Sequence, residues 1–454
     1  MYEKVDVCHT HGGKRMKKKM NKKLFLLPAA ALFLTGCQGT AQNDEALESI
    51  TGEKVSATES MFEIESTEDA AQQDNGVVSL TVWGDEDDEA LIGEIIKSFE
   101  EEYAGQAQFD ITFAAESEST CKDTLLGDVV NAPDVFTFAD DQLMALAAAG
   151  VLKPVENSDE IASRNLEGAV SAASIDDQLY AYPLTADNGY FMYYNKAYFS
   201  DEDLQSLDSM LAVAAANGKK VTMDFSSGWY LYSFFGNTGM EIGLKDDGIS
   251  NFCTWNATDG AIKGTDVASA MLAIAANPGF LNTADDGLVA GVQDGSVIAG
   301  VSGVWNATTI SEVWGENYGA TKLPTYTCNG TQVQMSSYAG YKLVGVNDYS
   351  KNRDWAAKFA DWMTNEQNQT LRFQMREQGP SNTNAADSAE VKDSLAIQAL
   401  IQQSEFASLQ RIGGNYWDPA SEYGATIAAG NPSGLELQEI MDNLVNGITA
   451  SNSQ

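Results

Sequence analysis

Histidine is all but missing from this sequence of 454 residues: His9 and His11 are the only two, and both lie in the first eleven positions. From residue 12 onward, histidine general bases, Ser-His-Asp triads and most zinc sites are therefore excluded. Cysteine is scarce, with five residues whose spacings match no zinc or redox motif. Basic side chains are few, 27 Lys and Arg against 65 Asp and Glu. A body this acidic repels nucleic acid and anionic lipid headgroups, and no basic patch offsets that. There is no phosphate-cradling glycine loop and no nucleophile-elbow serine. Long hydrophobic runs are absent too: Leu24 to Leu34 is the one stretch apolar enough to concern a membrane, and it is too short to span one as a helix.

The flanks of that stretch explain it. Lys17, Lys18, Lys19, Lys22 and Lys23 precede it, giving the charge and hydropathy order of a secretory signal peptide. It closes on Leu34-Thr35-Gly36-Cys37, which looks like the bacterial lipobox, where small residues admit the peptidase ahead of a cysteine destined for acylation. Residues 1–36 read as signal peptide, with the true start at Met16 or Met20, and Cys37 as the acylated amino terminus. Cys8, His9 and His11 would leave with the signal, and no metal site or cofactor is expected. Removing 36 residues takes away eight basic and two acidic side chains, moving the net charge from −38 to about −44. Cys121, Cys253 and Cys328 remain besides Cys37. A Cys253–Cys328 bridge is open in an oxidising compartment, but three free, partly buried thiols is the preferred reading.

At about three times a usual domain of roughly 150 residues, the chain should hold two domains plus non-globular sequence. Residues 37–76 are rich in Glu, Asp, Ser, Thr, Gln and Ala, and cannot bury enough apolar surface to offset chain entropy. They read as a tether. Folded sequence starts at Val77, with strands expected at 79–83, 109–113 and 133–138. Between and after them, helices are expected on the apolar face Ile92, Ile95, Ile96, Phe99 and Tyr103, with Gly105 as its cap, then at 122–130, and at 142–149 closed by Gly150. This alternation indicates an α/β domain with a mainly parallel sheet. Later amphipathic helices carry Trp355, Phe359, Trp362 and Met363, and Leu437, Ile440, Met441 and Leu444.

Ligands of such sheets gather at the carboxyl ends of strands. The loops there, 83–88, 114–118 and 139–141, are acidic and polar. Aromatic residues stand in loop-like settings at Trp83, Trp229, Tyr230, Trp305, Tyr416 and Trp417. Flat rings pack on the apolar faces of pyranoses while neighbouring carboxylates and amides bond the hydroxyls, so the combination suits sugars. For any single ring, core burial and ligand contact both stay open; the set carries the reading. Sixty-three acids also keep open a glycosidase, which needs two opposed carboxylates and no histidine. Asp85-Glu-Asp-Asp88 lacks the glycine and spaced glutamate of an EF-hand loop and reads as a solvated turn.

From Val77 onward the chain resembles the extracellular solute-binding proteins of bacterial ABC sugar importers, and among them the maltose and maltodextrin-binding group. The matching stretches are Leu80-Thr-Val-Trp83, Ala132-Pro-Asp-Val135, Ala139-Asp-Asp141, Ala149-Gly-Val-Leu152, Tyr182-Pro-Leu184, Tyr194-Asn-Lys196, Gly300 to Trp305 and Trp417-Asp-Pro419, in the family's order. The resemblance implies a two-lobed periplasmic-binding-protein-like (type II) α/β fold with a hinge and an interlobe cleft. One lobe would take residues 77–186 and about 336–400, the other 187–335 and about 401–454, with crossings near 182–188, 335–341 and 400. It also implies no catalysis. A monomer, lipid-anchored outside the cell membrane, would bind maltodextrin and deliver it to permease subunits, another oligosaccharide or a polysaccharide-adhesion role being the alternatives. Carried over by position, Trp83, Asp85, Glu116 and Asp141 would meet sugar from the first lobe, with Asp187 after the first crossing. From the second, Trp229 or Tyr230, Trp305 and Trp417 would stack on successive sugar rings, and Tyr416 joins the candidates from the loop-set aromatics. Phe138 and Gln142 stand where the maltose-binding pattern has tryptophan and arginine.

Overall fold

The computed structural model describes residues 76–245 and 247–450; the expected signal peptide, Cys37 and the acidic linker up to residue 75 lie outside these. Among the described residues no helix is long and apolar enough to cross a membrane.

Alternation builds the first strand. Val78, Leu80 and Val82 are buried while Ser79, Thr81 and Trp83 are less so, which gives Val77–Gly84 (β1) one apolar face. Helix α1, Glu89–Tyr103, buries Leu91, Ile92, Ile95 and Phe99 against that face. Strand β2, Gln108–Ala115, pairs parallel with β1 along its whole length. Helix α2, Cys121–Gly127, stops short of the expected Val130, and β3, Val135–Ala139, then pairs parallel on the other side of β1. A 3-10 turn at Asp140–Gln142 leads into α3, Leu143–Ala148. Gly150 ends it in the left-handed region at φ +70°, as a capping glycine does. Gly105 does not play that part, since α1 is closed by right-handed Ala104.

After β4, Tyr182–Thr185, the chain crosses over and builds a second sheet. Its strands are β5, Phe191–Asn195; β6, Lys220–Met223; β7, Phe280–Asn282; β8, Val297–Ser302, entered from helix α4, Asp285–Asp294; and β9, Tyr318–Thr321. Strand β10, Ser337–Ala339, brings the chain back, and β11, Lys342–Val346, returns it to the first sheet. Helices α5, Arg353–Met363, and α6, Glu366–Arg376, follow; then come α7, Leu395–Ser404, β12, Ala407–Leu409, α8, Trp417–Ala428, and α9, Leu437–Ile448.

The two sheets mirror one another in plan. The first runs β2-β1-β3-β11-β4 and the second β7-β6-β8-β5-β9. In each, parallel strands are joined by one antiparallel strand supplied immediately after a crossing: β11 against β3 and β4, β5 against β8 and β9. One core covers the first sheet, while the second is covered on both faces, Met192 entering one core and Phe191 and Tyr193 the other. Helix α7 packs on β9 and β5. Because Asn382 still bridges to Asn165 of the first lobe, the last crossing falls between Asn382 and Leu395, ahead of the expected position near 400. Cys121, Cys253 and Cys328 are all free thiols, so the Cys253–Cys328 bridge is not formed.

Candidate functional site

Parallel strands put their carboxyl ends on one edge of each sheet, and these two edges face each other. Lys342, opening β11 beside the end of β3, places its Nζ 6.0 Å from the centre of the Trp305 ring, which follows β8 of the second sheet. On one side of that meeting point lies charge, on the other a bank of rings.

The first-lobe edge is a buried ion cluster. Lys342 Nζ is 3.4 Å from Glu118 Oε2. Burial alone would push its ammonium down, but Glu118, Asp187 and Asp88 outweigh that and hold it above its usual value. Burial pushes Glu118 and Asp187 up, in spite of the lysine. Asp187 accepts from the Gly379 N–H, and among the described residues its Oδ1 has no hydrogen-bond partner. Asp88, wholly buried, is gripped by Arg372 and by Arg376 Nε at 3.1 Å; these and Lys342 overcome burial and hold its carboxyl below the usual range. Next to this cluster, Asp140 Oδ1 accepts from the Tyr341 N–H at 2.8 Å, and Arg411 Nη1 lies 2.9 Å from its Oδ2. Gln410 Nε2 donates to Asp141 Oδ2 at 2.7 Å. Burial, then the Asp140 charge beside it, pushes the Asp141 carboxyl up to about 7.

The second-lobe edge is aromatic. Trp229 lies on the single helical turn Gly228–Leu231, its ring 5.5 Å from Tyr190 and 5.6 Å from Tyr338. Tyr190 in turn meets Tyr230 edge-on at 4.9 Å, and its hydroxyl donates to the Trp229 carbonyl at 2.8 Å. Trp305 Nε1 donates to Asp285 Oδ2 at 2.8 Å, and Ser302 Oγ to Asp285 Oδ1 at 2.9 Å. Burial raises the Asp285 carboxyl while Trp305, Ser302 and Tyr230 each pull it back. Trp417 opens α8 and packs beside Gly228.

Trp229, Trp305 and Trp417 are half-buried rings of one lobe, and buried Tyr230 sets its hydroxyl 3.3 Å from Asp285, the acceptor of the Trp305 indole. Tyr416 is instead a core residue: it is 0% exposed, donates to the Gly228 carbonyl at 2.6 Å and backs Trp417 edge-on at 5.1 Å. It cannot stack on a ligand. Asp187 stands at the first crossing, and Asp141, in the turn after β3, meets Gln410. Trp83 packs on the first core, Asp85 caps the turn at Asp87, and Glu116 accepts from Thr120 and Thr124; among the described residues nothing ties these three to the second lobe. Sequence reasoning passed over Lys342, Asp285, Gln410 and Arg411. The first two carry no local signal, and the last pair lies in a short stretch with neither helical nor strand periodicity.

The family model described as bacterial extracellular solute-binding protein matches residues 94–399. A galactooligosaccharide-binding protein of Bacillus subtilis is 26% identical over 370 residues, 77% of this chain and 85% of its own length. A maltooligosaccharide ABC transporter solute-binding lipoprotein of Streptococcus pneumoniae is 27% identical over 370 residues, 76% of this chain and 82% of its own. Among solved structures, one determined with acarbose superposes with a TM-score of 0.74 at 29% identity, covering 82% of this chain and 99% of that one.

Proposed function

Because the chain belongs to the bacterial extracellular solute-binding proteins, a family of binders and not of enzymes, we propose that it captures a maltodextrin-type oligosaccharide between its lobes and delivers it to the membrane permease of an ABC importer. It works outside the cytoplasm, and in this reading Cys37 carries the lipid that keeps it at the membrane.

One observation carries the reading. Three half-buried tryptophans, Trp229, Trp305 and Trp417, stand at one edge of the second sheet, and across from Trp305 lies a polar wall holding Asp141 and Lys342. Rings supply area to the faces of sugar rings, and the polar wall supplies partners for hydroxyls. Hinge closure then presses the two together and presents a closed body to the permease. Relatives named for maltooligosaccharide and for galactooligosaccharide both support an oligosaccharide.

Calorimetric titration with maltotriose, longer maltodextrins and galactooligosaccharides tests this. Trp305→Ala and Trp229→Ala are each expected to weaken the preferred sugar by roughly 2 kcal/mol or more. Tightest binding of a galactooligosaccharide would reassign the sugar. Unchanged affinity in both variants, or shortened products after incubation, would overturn the proposal.

A further inference from the structure

We propose that Asp285 is the positioning residue of the binding face: its carboxylate sets the planes of Trp305 and Tyr230 before any ligand arrives. This rests on the oligosaccharide reading above and adds the residue that shapes the site.

Three side chains from two separate stretches of backbone converge on this one carboxylate. Trp305 Nε1 comes from the turn after β8, at 2.8 Å; Ser302 Oγ from the end of β8, at 2.9 Å; and Tyr230 OH from the turn Gly228–Leu231, at 3.3 Å. Asn306 Nδ2 donates to Ser302 Oγ at 2.9 Å and so steadies the second of these. An indole N–H points along one direction in the ring plane, so fixing its acceptor fixes the tilt of the whole ring. Tyr230 then passes the constraint on, since it packs edge-on against Tyr190, whose hydroxyl holds the Trp229 carbonyl. Asp285 is also the first residue of α4, where unsatisfied N–H groups favour a negative charge. A ring already held in its binding pose loses no rotamer freedom when sugar stacks on it.

The chemistry separates variants. Asp285→Asn can aim its oxygen at Trp305 Nε1 and donate to the Ser302 and Tyr230 hydroxyls, which rotate to accept, so it should bind within about threefold of wild type. Asp285→Ala removes the acceptor, and Asp285→Glu keeps the charge but moves it by one methylene. Both should weaken the preferred sugar at least about tenfold. In a Trp305→Ala background, Asp285→Ala should add much less than it costs alone.

The second readout is the Trp305 indole N–H resonance in the 15N spectrum of the ligand-free protein, assigned with Trp305→Phe. It should shift, and its hydrogen exchange quicken, in Asp285→Ala and Asp285→Glu, and stay close to wild type in Asp285→Asn. If Asp285→Ala fails to fold, Asp285→Glu carries the test. A folded Asp285→Glu with wild-type affinity and an unmoved indole resonance would overturn the inference. Should the wild-type protein bind none of the sugars, the functional reading falls, and the indole resonance still decides the role of Asp285.

Discussion

Lys342 is a cation at 8% exposure, and Asp88 and Arg372 beside it are at 0% and 1%. Charges this deep are tolerated because each is faced by opposite charge, and removing one partner strands the other in a medium that cannot solvate it. Asp88→Ala would leave Arg372 with only the neutral Gln378 Oε1 and take the carboxylate away from the Nε of Arg376. Urea unfolding at pH 7 should show a loss of about 3–5 kcal/mol. The Asp88 carboxyl is held below its usual range, so its contribution is present at neutral pH and fades as pH falls through that depressed value. The same residue scale shows where sequence reading runs out. Tryptophan is rare enough for Trp229, Trp305 and Trp417 to stand out, whereas Asp285 is one acid among 65 and Lys342 one base among 27. Only the fold singles them out. The sequence sets Tyr416 beside Trp417 among the loop aromatics, but consecutive residues entering a helix point about 100° apart, so Tyr416 is fully buried while Trp417 stays half-buried.

At the scale of elements, β1, β2 and α1 were legible because alternation and the three-and-four spacing are local patterns. Strand β11 was not. Its five residues, Lys342-Leu-Val-Gly-Val346, are all buried, so no alternation survives, and its partner β3 lies far back in the sequence. Glycines test how tightly elements meet. In α8, a Cβ added at Gly424 would sit 1.6 Å from the Phe225 carbonyl oxygen, so Gly424→Ala must push the helix off the strand-end loop beneath it. A loss of about 1–3 kcal/mol, read as a lower melting temperature, is expected. In α1, Gly93 is exposed and a Cβ there would meet nothing within 4 Å. Gly93→Ala should raise the melting temperature, with a gain of about 0.5–1 kcal/mol.

For the molecule as a whole, one sign of titration dominates the facing edges. Burial raises Asp140, Asp141, Asp187, Glu118 and Asp285. An acid raised on folding holds its proton in the native state at a pH where the unfolded chain has released it. Stability therefore increases as pH falls from above 7 toward the ordinary carboxylate range. Melting temperatures of the ligand-free protein should be higher at pH 5.5 than at pH 8, and Asp141→Asn, whose parent carboxyl titrates near 7, should flatten part of that slope. High salt screens the repulsion of a chain of net charge −38, so a slope that survives in salt belongs to the buried acids.

The plan of the two sheets has a consequence for how such a chain comes into being. Strand β11 sits between β3 and β4, yet it is made only after the second lobe's five strands. No single cut frees a complete first lobe, and a ribosome or a membrane pore releasing the chain amino end first holds that sheet open until residue 346 is out. Late completion of this kind keeps the polymer threadable for most of its passage, at the cost of slow, long-range strand pairing at the end.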